Sequence, residues 1–500
     1  MMHKGSFIKS LGITIIISAI FCLFTPTAVA EDNVYDFALN GILYKIIGDG
    51  DTPEVAVAGT QTIKGDIDIP EKVTIDGRTY TVTAIGDDAF KGGFLENSSL
   101  ASVTLPNTIK SIGDEAFAWC YSLKSISFGN GIETIGESAF LCCENLESIT
   151  LPDGIKTIGG GAFKTCRSLK TAYLGKSLTE ISDQMLAFCT SLTTVEIPDK
   201  VTRIGEGAFW ECRSIKKIQV PESLEEFDNY AFFMCSALTD IEIPGSTHTI
   251  GLYAFSQCNS LRSMYIPNVE TLGPRAFSDC ESLYEVKFGD NVKTIGEGCF
   301  EKCRNLYSVK LGKNIETVGT AAFNKCNKLT NVIFNEKLTS IEDFAFGRCN
   351  LTSLTLPNNV RTIGGYAFFV NSSLKEVELG QNVENIGENA FQECYKISNF
   401  KIHADEPPVC GPNTLTDINK TNCTLSIPQN SIEKYKSADQ WKDFININGF
   451  DGVEDVIFDI ANGSIEIYNL HGIPVGTSTE NLPSGMYIMR QGSKTQKIRL

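Results

Sequence analysis

The segment Gly154-Ile155-Lys156-Thr157-Ile158-Gly159-Gly160-Gly161-Ala162-Phe163-Lys164-Thr165-Cys166-Arg167-Ser168-Leu169 recurs about every 23 residues along most of this 500-residue chain, with its apolar positions and its cysteine kept. Units of this length cannot bury an apolar face alone, so they stack, and the core grows in one dimension as a solenoid. Counted from the apolar residue that usually precedes glycine, the anchors are Ile85, Ile112, Ile135, Ile158, Ile181, Ile204, Phe227, Ile250, Leu272, Ile295, Val318, Ile341, Ile363 and Ile386. These define about 14 units of 22–27 residues. The one step of 27 predicts a surface loop around Lys91 to Ser98.

One unit reads as follows. In Leu146-Glu147-Ser148-Ile149-Thr150-Leu151-Pro152, apolar and small polar residues alternate, the period of a strand with one wet face. Proline ends the strand because it has no N–H to extend the ladder. Ile155 and Ile158 then point inward again, and glycine after the anchor permits a tight corner. The Gly-x-x-Ala-Phe-x-x-Cys stretch predicts one helical turn on the opposite side, its phenylalanines stacking from unit to unit.

Twelve cysteines occupy one slot, eight residues after the anchor, from Cys120 and Cys143 through to Cys349 and Cys394. Buried free cysteine behaves as a small hydrophobe, so a ladder of inward thiols is expected. Coils roughly 4.8 Å apart also lie within disulfide reach, which leaves pairing open in an exported protein. Zinc is not expected, because Cys-x-x-Cys is absent and only four histidines are present.

Residues 1–30 combine Lys4 and Lys9, an apolar run from Leu11 to Phe24 and the ending Ala28-Val29-Ala30, which reads as a cleaved secretory signal. Removing it takes two of the 43 basic residues and none of the 60 acidic ones, leaving 41 against 60, a formal charge of −19. Such a surface repels phosphate backbones, so nucleic acid is not an expected partner. An extracellular or outer-surface location is expected, with no transmembrane segment after cleavage.

The pattern Leu-x-x-Ile-x-Leu-Pro followed by Ile-Gly-x-x-Ala-Phe-x-x-Cys resembles the leucine-rich repeats of the BspA-like surface proteins, over roughly residues 82–403. The resemblance implies a β-rich leucine-rich repeat solenoid with a parallel β-sheet on one face and short helical turns on the other. Residues 31–81 look like its β-hairpin N-terminal cap, and 404–450 read as a C-terminal cap with a last strand and a short amphipathic helix around Ser431 to Tyr435. Cys410 and Cys423 lie outside the ladder and close together, which makes them the candidate disulfide. From 451 to 500 a small β-rich unit, with Ile465-Glu466-Ile467-Tyr468 and Met486-Tyr487-Ile488, resembles the C-terminal sorting domain that Bacteroidetes attach to cargo of the type nine secretion system. The family resemblance further implies an adhesin-like role toward host matrix or plasma proteins, or toward other cells.

Catalytic signatures are missing: there is no Gly-x-Ser-x-Gly, no His-Glu-x-x-His and no Gly-x-x-x-x-Gly-Lys. The pair Glu376 and Glu378 is weak grounds for a glycosidase in so acidic a chain. No catalytic, cofactor or metal site is therefore expected, and a secreted hydrolase is the remote alternative. Binding is the natural use of a strand face about 14 coils long, roughly 65 Å at the interstrand spacing. Its outward slots are small and nearly uncharged at first, from Ser102 and Thr104 to Thr171 and Tyr173. Further on, Arg262, Tyr265, Tyr284, Lys287, Tyr307 and Lys310 are expected to share one patch, the candidate ligand site, since Tyr and Arg are enriched where interfaces carry their energy. A glycan-binding accessory protein is the other binding alternative. It calls for exposed tryptophans, whereas Trp119, Trp210 and Trp441 fall off the strand face.

Overall fold

The computed structural model describes residues 35–61, 64–92 and 99–450, together with four strand segments, 466–469, 474–476, 486–491 and 494–499. The expected signal segment, most of the insertion loop and the start of the tail unit at 451 lie outside the described residues. The repeat becomes a two-ladder solenoid. Front strands such as Ser148–Thr150, Thr171–Tyr173 and Thr194–Glu196 run parallel and in register, with Ser148 beside Thr171 and Thr171 beside Thr194. The middle residues Ile149 and Ala172 are fully buried and Val195 partly so, while Ser148 and Thr150 face water. Two-residue corner strands such as Thr134–Ile135 and Thr157–Ile158 build the second ladder, which from Glu180–Ile181 to Val409–Cys410 is one 11-stranded sheet.

The side opposite the front strands is built from turns, and its only α-helix among the described residues is Ile432–Ser437 in the last coils. Two left-handed residues per coil explain why. Glu115 and Trp119 have φ of 50° and 58°, and the same two slots hold Tyr230 and Met234, or Tyr366 and Val370, later in the chain. Each reversal aims a backbone N–H along the solenoid axis instead of back along its own turn. Thus the N–H groups of Glu115, Phe117 and Trp119 donate to the carbonyls of Glu137, Ala139 and Leu141 in the next coil at 2.7–2.8 Å, while Ala118 and Cys120 donate back within the turn. The turn side is a third hydrogen-bonded ladder, which pairs its backbone from coil to coil.

Between these walls the side chains repeat at the spacing of the coils. Phe90, Phe117, Phe140 and Phe163 stack with ring centroids 4.9–5.1 Å apart and planes within 5°. Leu186 interrupts the stack, which resumes at Phe209 and runs to Phe391. The thiol in the cysteine slot donates to the buried carbonyl of an earlier phenylalanine, as from Cys166 to Phe140 at 3.3 Å and Cys258 to Phe232 at 3.3 Å. Where the slot holds Asn371, the amide donates to Phe346 and Phe368 at 2.9 and 2.8 Å and its oxygen accepts from Leu351 N–H at 3.1 Å. Cysteine and asparagine alternate here because each fits the space and donates to a buried carbonyl of a neighbouring coil. The ladder cysteines from Cys143 to Cys394, and Cys299, Cys410 and Cys423, are free thiols. Burial pushes Cys189 up to about 12 and raises Cys166 and Cys212 well above the usual thiol range, so the ladder is uncharged.

The corner glycine has a different reason from the one its sequence position implies. Gly159 does not take a positive φ; a Cβ there would lie 2.4 Å from the Glu137 nitrogen of the preceding coil. Glycine is required by the close approach of neighbouring coils, and left-handed turns come two residues later, at Gly161 with φ 62°.

At the amino end, antiparallel strands Phe37–Leu39, Ile42–Gly48 and Glu54–Thr60 cover the stack, and Glu54–Thr60 pairs parallel with Arg78–Ile85 to start the corner ladder. At the other end the front ladder continues past the last anchor through Asn399–Ile402, Thr424–Pro428 and Asn446–Phe450, bringing the front positions to about 17. Trp441 closes the core, its indole N–H donating to Pro408 at 2.9 Å, beside Tyr435 bonded to Ala404. Cys410 and Cys423 do not form the expected bond. Cys410 sits in the corner strand beside Ile386, whereas Cys423 leads into the front strand, so one coil places them on different walls. The described tail strands form a separate four-stranded antiparallel sheet.

Candidate binding face

The register of the front strands decides which outward residues meet. Tyr265, Lys287, Lys310 and Ile333 are successive partners in one row along the solenoid. A second row begins one residue before the strands. There Tyr284 N–H donates to the Arg262 carbonyl at 2.9 Å, and Thr330 N–H to that of Tyr307 at 3.0 Å. All six residues expected in the patch therefore lie on three adjoining coils. The three tyrosines are 53–62% exposed, large values for aromatic rings on a folded surface. Lys287 pairs with Glu285 of its own strand at 3.0 Å, both well exposed, a contact worth little in water. Ile333, half exposed, extends the patch by an apolar residue that its sequence position does not single out.

Immediately before this patch the front ladder is interrupted. Between Thr194–Glu196 and Ser263–Ile266 the only pairing among the described residues is a single bridge from Lys217 to Asp240, although the corner ladder runs on without a break. The opening forms a depression of about 880 Å³, whose lining includes Tyr173, Glu196, Lys217, Gln219, Glu222 and Glu242. The face thus changes character along its length: hydroxyl-bearing at the amino end, acidic and open at this widest interruption, then aromatic and basic.

Two further groupings lie outside the expected site. Near the carboxyl end, His403 Nε2 and Glu378 Oε1 are 2.8 Å apart, with Lys401 Nζ 2.7 Å from the same carboxylate. The hydrogen bond to His403, reinforced by Lys401, holds Glu378 down at about 2 against the burial that opposes it. These contacts join Glu378 to side chains of the following coil, so this cluster ties the last coils together. Its spacing of 25 residues, one coil plus two, is the only sequence signal for it. On the turn side, Phe188, Trp210, Tyr230, Phe233 and Tyr253 pack with centroids 5.4–5.9 Å apart, so their ring faces are largely covered by one another. Among the described residues no group of three or more His, Cys, Asp or Glu is arranged to hold a metal.

This architecture of short parallel front strands, a corner ladder and an inward thiol slot defines a leucine-rich repeat solenoid. The sequence profile of the BspA type leucine-rich repeat region, a six-copy unit, matches residues 83–212, 179–307 and 293–407, more than half of the chain, and the protein belongs to that family. A leucine-rich repeat protein from Bacteroides ovatus shares 28% identity with a TM-score of 0.65, over 79% of this chain and 100% of that one. A leucine rich cell surface protein from Faecalibacterium prausnitzii matches with 25% identity, a TM-score of 0.43 and coverage of 68% and 93%. The pneumococcal vaccine antigen PcpA does so with 21% identity, a TM-score of 0.46 and coverage of 83% and 98%. No curated protein matches the chain. No helix among the described residues is long and apolar enough to cross a membrane.

Proposed function

We propose that this is an exported, adhesin-like binding protein whose front strand face recognises a large protein partner, of the host matrix or of another cell surface. Membership of the BspA-type family is consistent with a protein-binding role. The observation that carries the reading is the in-register gathering of Arg262, Tyr265, Tyr284, Lys287, Tyr307 and Lys310 on adjoining strands, exposed and, among the described residues, with the Lys287–Glu285 contact as their one ion pair. Rigid aromatic rings beside basic groups supply binding energy at low entropic cost, and the basic charge on an acidic protein orients an acidic partner. The expected signal at 1–30 delivers the chain outside the cell, and the tail from 451, through its resemblance to a type nine sorting domain, retains it at the outer surface. A protein ligand fits better than a glycan, because Trp210 spends its ring faces on Phe188 and Tyr230 instead of presenting them for stacking on sugars.

The test is binding of the purified chain, from residue 31 onward, to immobilised extracellular-matrix proteins and to a glycan array. Saturable binding to a matrix protein that weakens with added salt supports the reading. Binding confined to the glycan array moves the assignment to a glycan-binding accessory protein, and turnover in a hydrolase screen would move it to an enzyme.

A further inference from the structure

The front face carries a symmetry of charge that no binding role for a foreign partner requires. Starting at the boundary between the coils of Glu242 and Tyr265, the last outward slot reads Glu242, Gln219, Glu196 and Tyr173 in one direction. In the other it reads Tyr265, Lys287, Lys310 and Ile333. Consider a two-fold axis that passes in front of that boundary, parallel to the strands. It reverses the direction of the solenoid but leaves position along each strand unchanged, so each outward slot of one copy meets the same slot of another.

Under this operation Glu196 faces Lys310 of the second copy, two and a half coils either side of the axis. Glu242, at the edge of the depression, faces Tyr265, whose hydroxyl can donate to a carboxylate. Tyr173 and Ile333, 41% and 51% exposed, meet as the apolar ends of the contact. The first outward slot obeys the same rule, since Lys217 faces Glu285. Every pairing occurs twice, as an isologous interface demands.

We propose that the protein self-associates through this face as an antiparallel two-fold dimer, the occupant of the open, acidic section being the aromatic and basic section of a second copy of the same chain. The internal contacts that compete are weak: Lys217 to Asp240 at 3.5 Å and Lys287 to Glu285 at 3.0 Å join exposed side chains, which exchange partners at little cost. Eight coils of three-residue strands offer roughly 400 Å² per copy, about half of a standard interface. The dimer is therefore weak, reversible and sensitive to salt, and it covers the surface assigned above to a foreign partner, so the two compete.

The experiment is sedimentation velocity on the chain from residue 31 onward, from about 1 to 200 µM, the range in which so small an interface is expected to associate, at low and at physiological salt. Wild type should shift from monomer to dimer, and added salt should reverse the shift. Glu196→Lys alone and Lys310→Glu alone each place like charges opposite one another twice, and each should weaken association about tenfold or more. Mixing these two variants restores opposite charges at both contacts of a heterodimer, so the mixture should recover association, as should the double variant. Both positions are exposed, and unchanged thermal melts will show that the variants fold. A wild type that stays monomeric throughout, a dimer indifferent to both swaps, or a mixture that fails to associate would overturn the proposal. Matrix binding is read separately, so failure here leaves that reading standing.

Discussion

The amino-terminal third and the middle of the solenoid share an interior and differ in almost everything outside. Around Phe117 and around Phe255 the same rings stack, the same thiols reach phenylalanine carbonyls and the same corner residues are buried. On the front, the first region shows the small hydroxyls of Ser125, Ser127, Ser148 and Thr150 on three-residue strands, with one break in the ladder between the two strands. The second has an interrupted ladder, a depression and a patch of tyrosine and lysine. The difference separates two demands on one repeat: inward slots are fixed by stacking geometry, and outward slots are free to carry recognition.

That separation can be broken at its strongest point by Phe117→Ala and Phe255→Ala. Each removes a fully buried ring between two stacked neighbours, so each should cost about 3–5 kcal/mol in denaturant unfolding, with similar values in both regions. A markedly smaller loss at Phe255 would mean that the interrupted front reflects a looser interior. The polar part of the interior gives a finer comparison. Asn371→Ala leaves the Phe346 carbonyl and the Leu351 N–H unpaired, the Phe368 carbonyl keeping the Cys394 thiol, and should cost about 2–3 kcal/mol, whereas Cys258→Ala loses one weak thiol bond and should cost about 1 kcal/mol.

Acid tests the end of the same face. Glu378 is held at about 2, below its value in the unfolded chain, so its contribution is complete above about pH 4.5 and is lost as pH falls toward 2. Since that side chain is one-third exposed, the loss is about 1 kcal/mol after allowance for solvent screening. Glu378→Gln should flatten the stability curve over that window and leave it unchanged at pH 7 apart from a constant offset. At the bottom of the scale, Ser125→Ala and Ser148→Ala on the hydroxyl-bearing front should change stability by less than about 0.5 kcal/mol.

The period of 23 made the solenoid legible, because only stacking explains apolar anchors at so constant a step. It made the patch legible too: the steps between Tyr265, Lys287 and Lys310 equal the register of their strands. The turn side reads as helical in sequence, and wrongly so, because the residues forced into left-handed geometry include Tyr230 and Val370, which do not advertise it; Gly161, Gly207 and Gly298 in the same slot were the available signal. The interruption was not legible at all. Lys217-Ile218-Gln219-Val220-Pro221 has the same alternation as its neighbours. The separation of Cys410 from Cys423 required the path of the coil, since closeness in sequence says nothing about which wall each occupies.

The central claim, that recognition resides in the middle of the front face and not along its whole length, is tested most directly by one paired measurement. A variant with Tyr265, Tyr284 and Tyr307 changed to alanine is compared with one carrying Ser102, Ser125 and Ser148 changed to alanine, for affinity toward the same immobilised matrix protein. The account predicts that the tyrosine variant loses about 100-fold or more in affinity with its melting temperature unchanged, while the serine variant binds as wild type. Equal losses in both variants, or none in either, would contradict it.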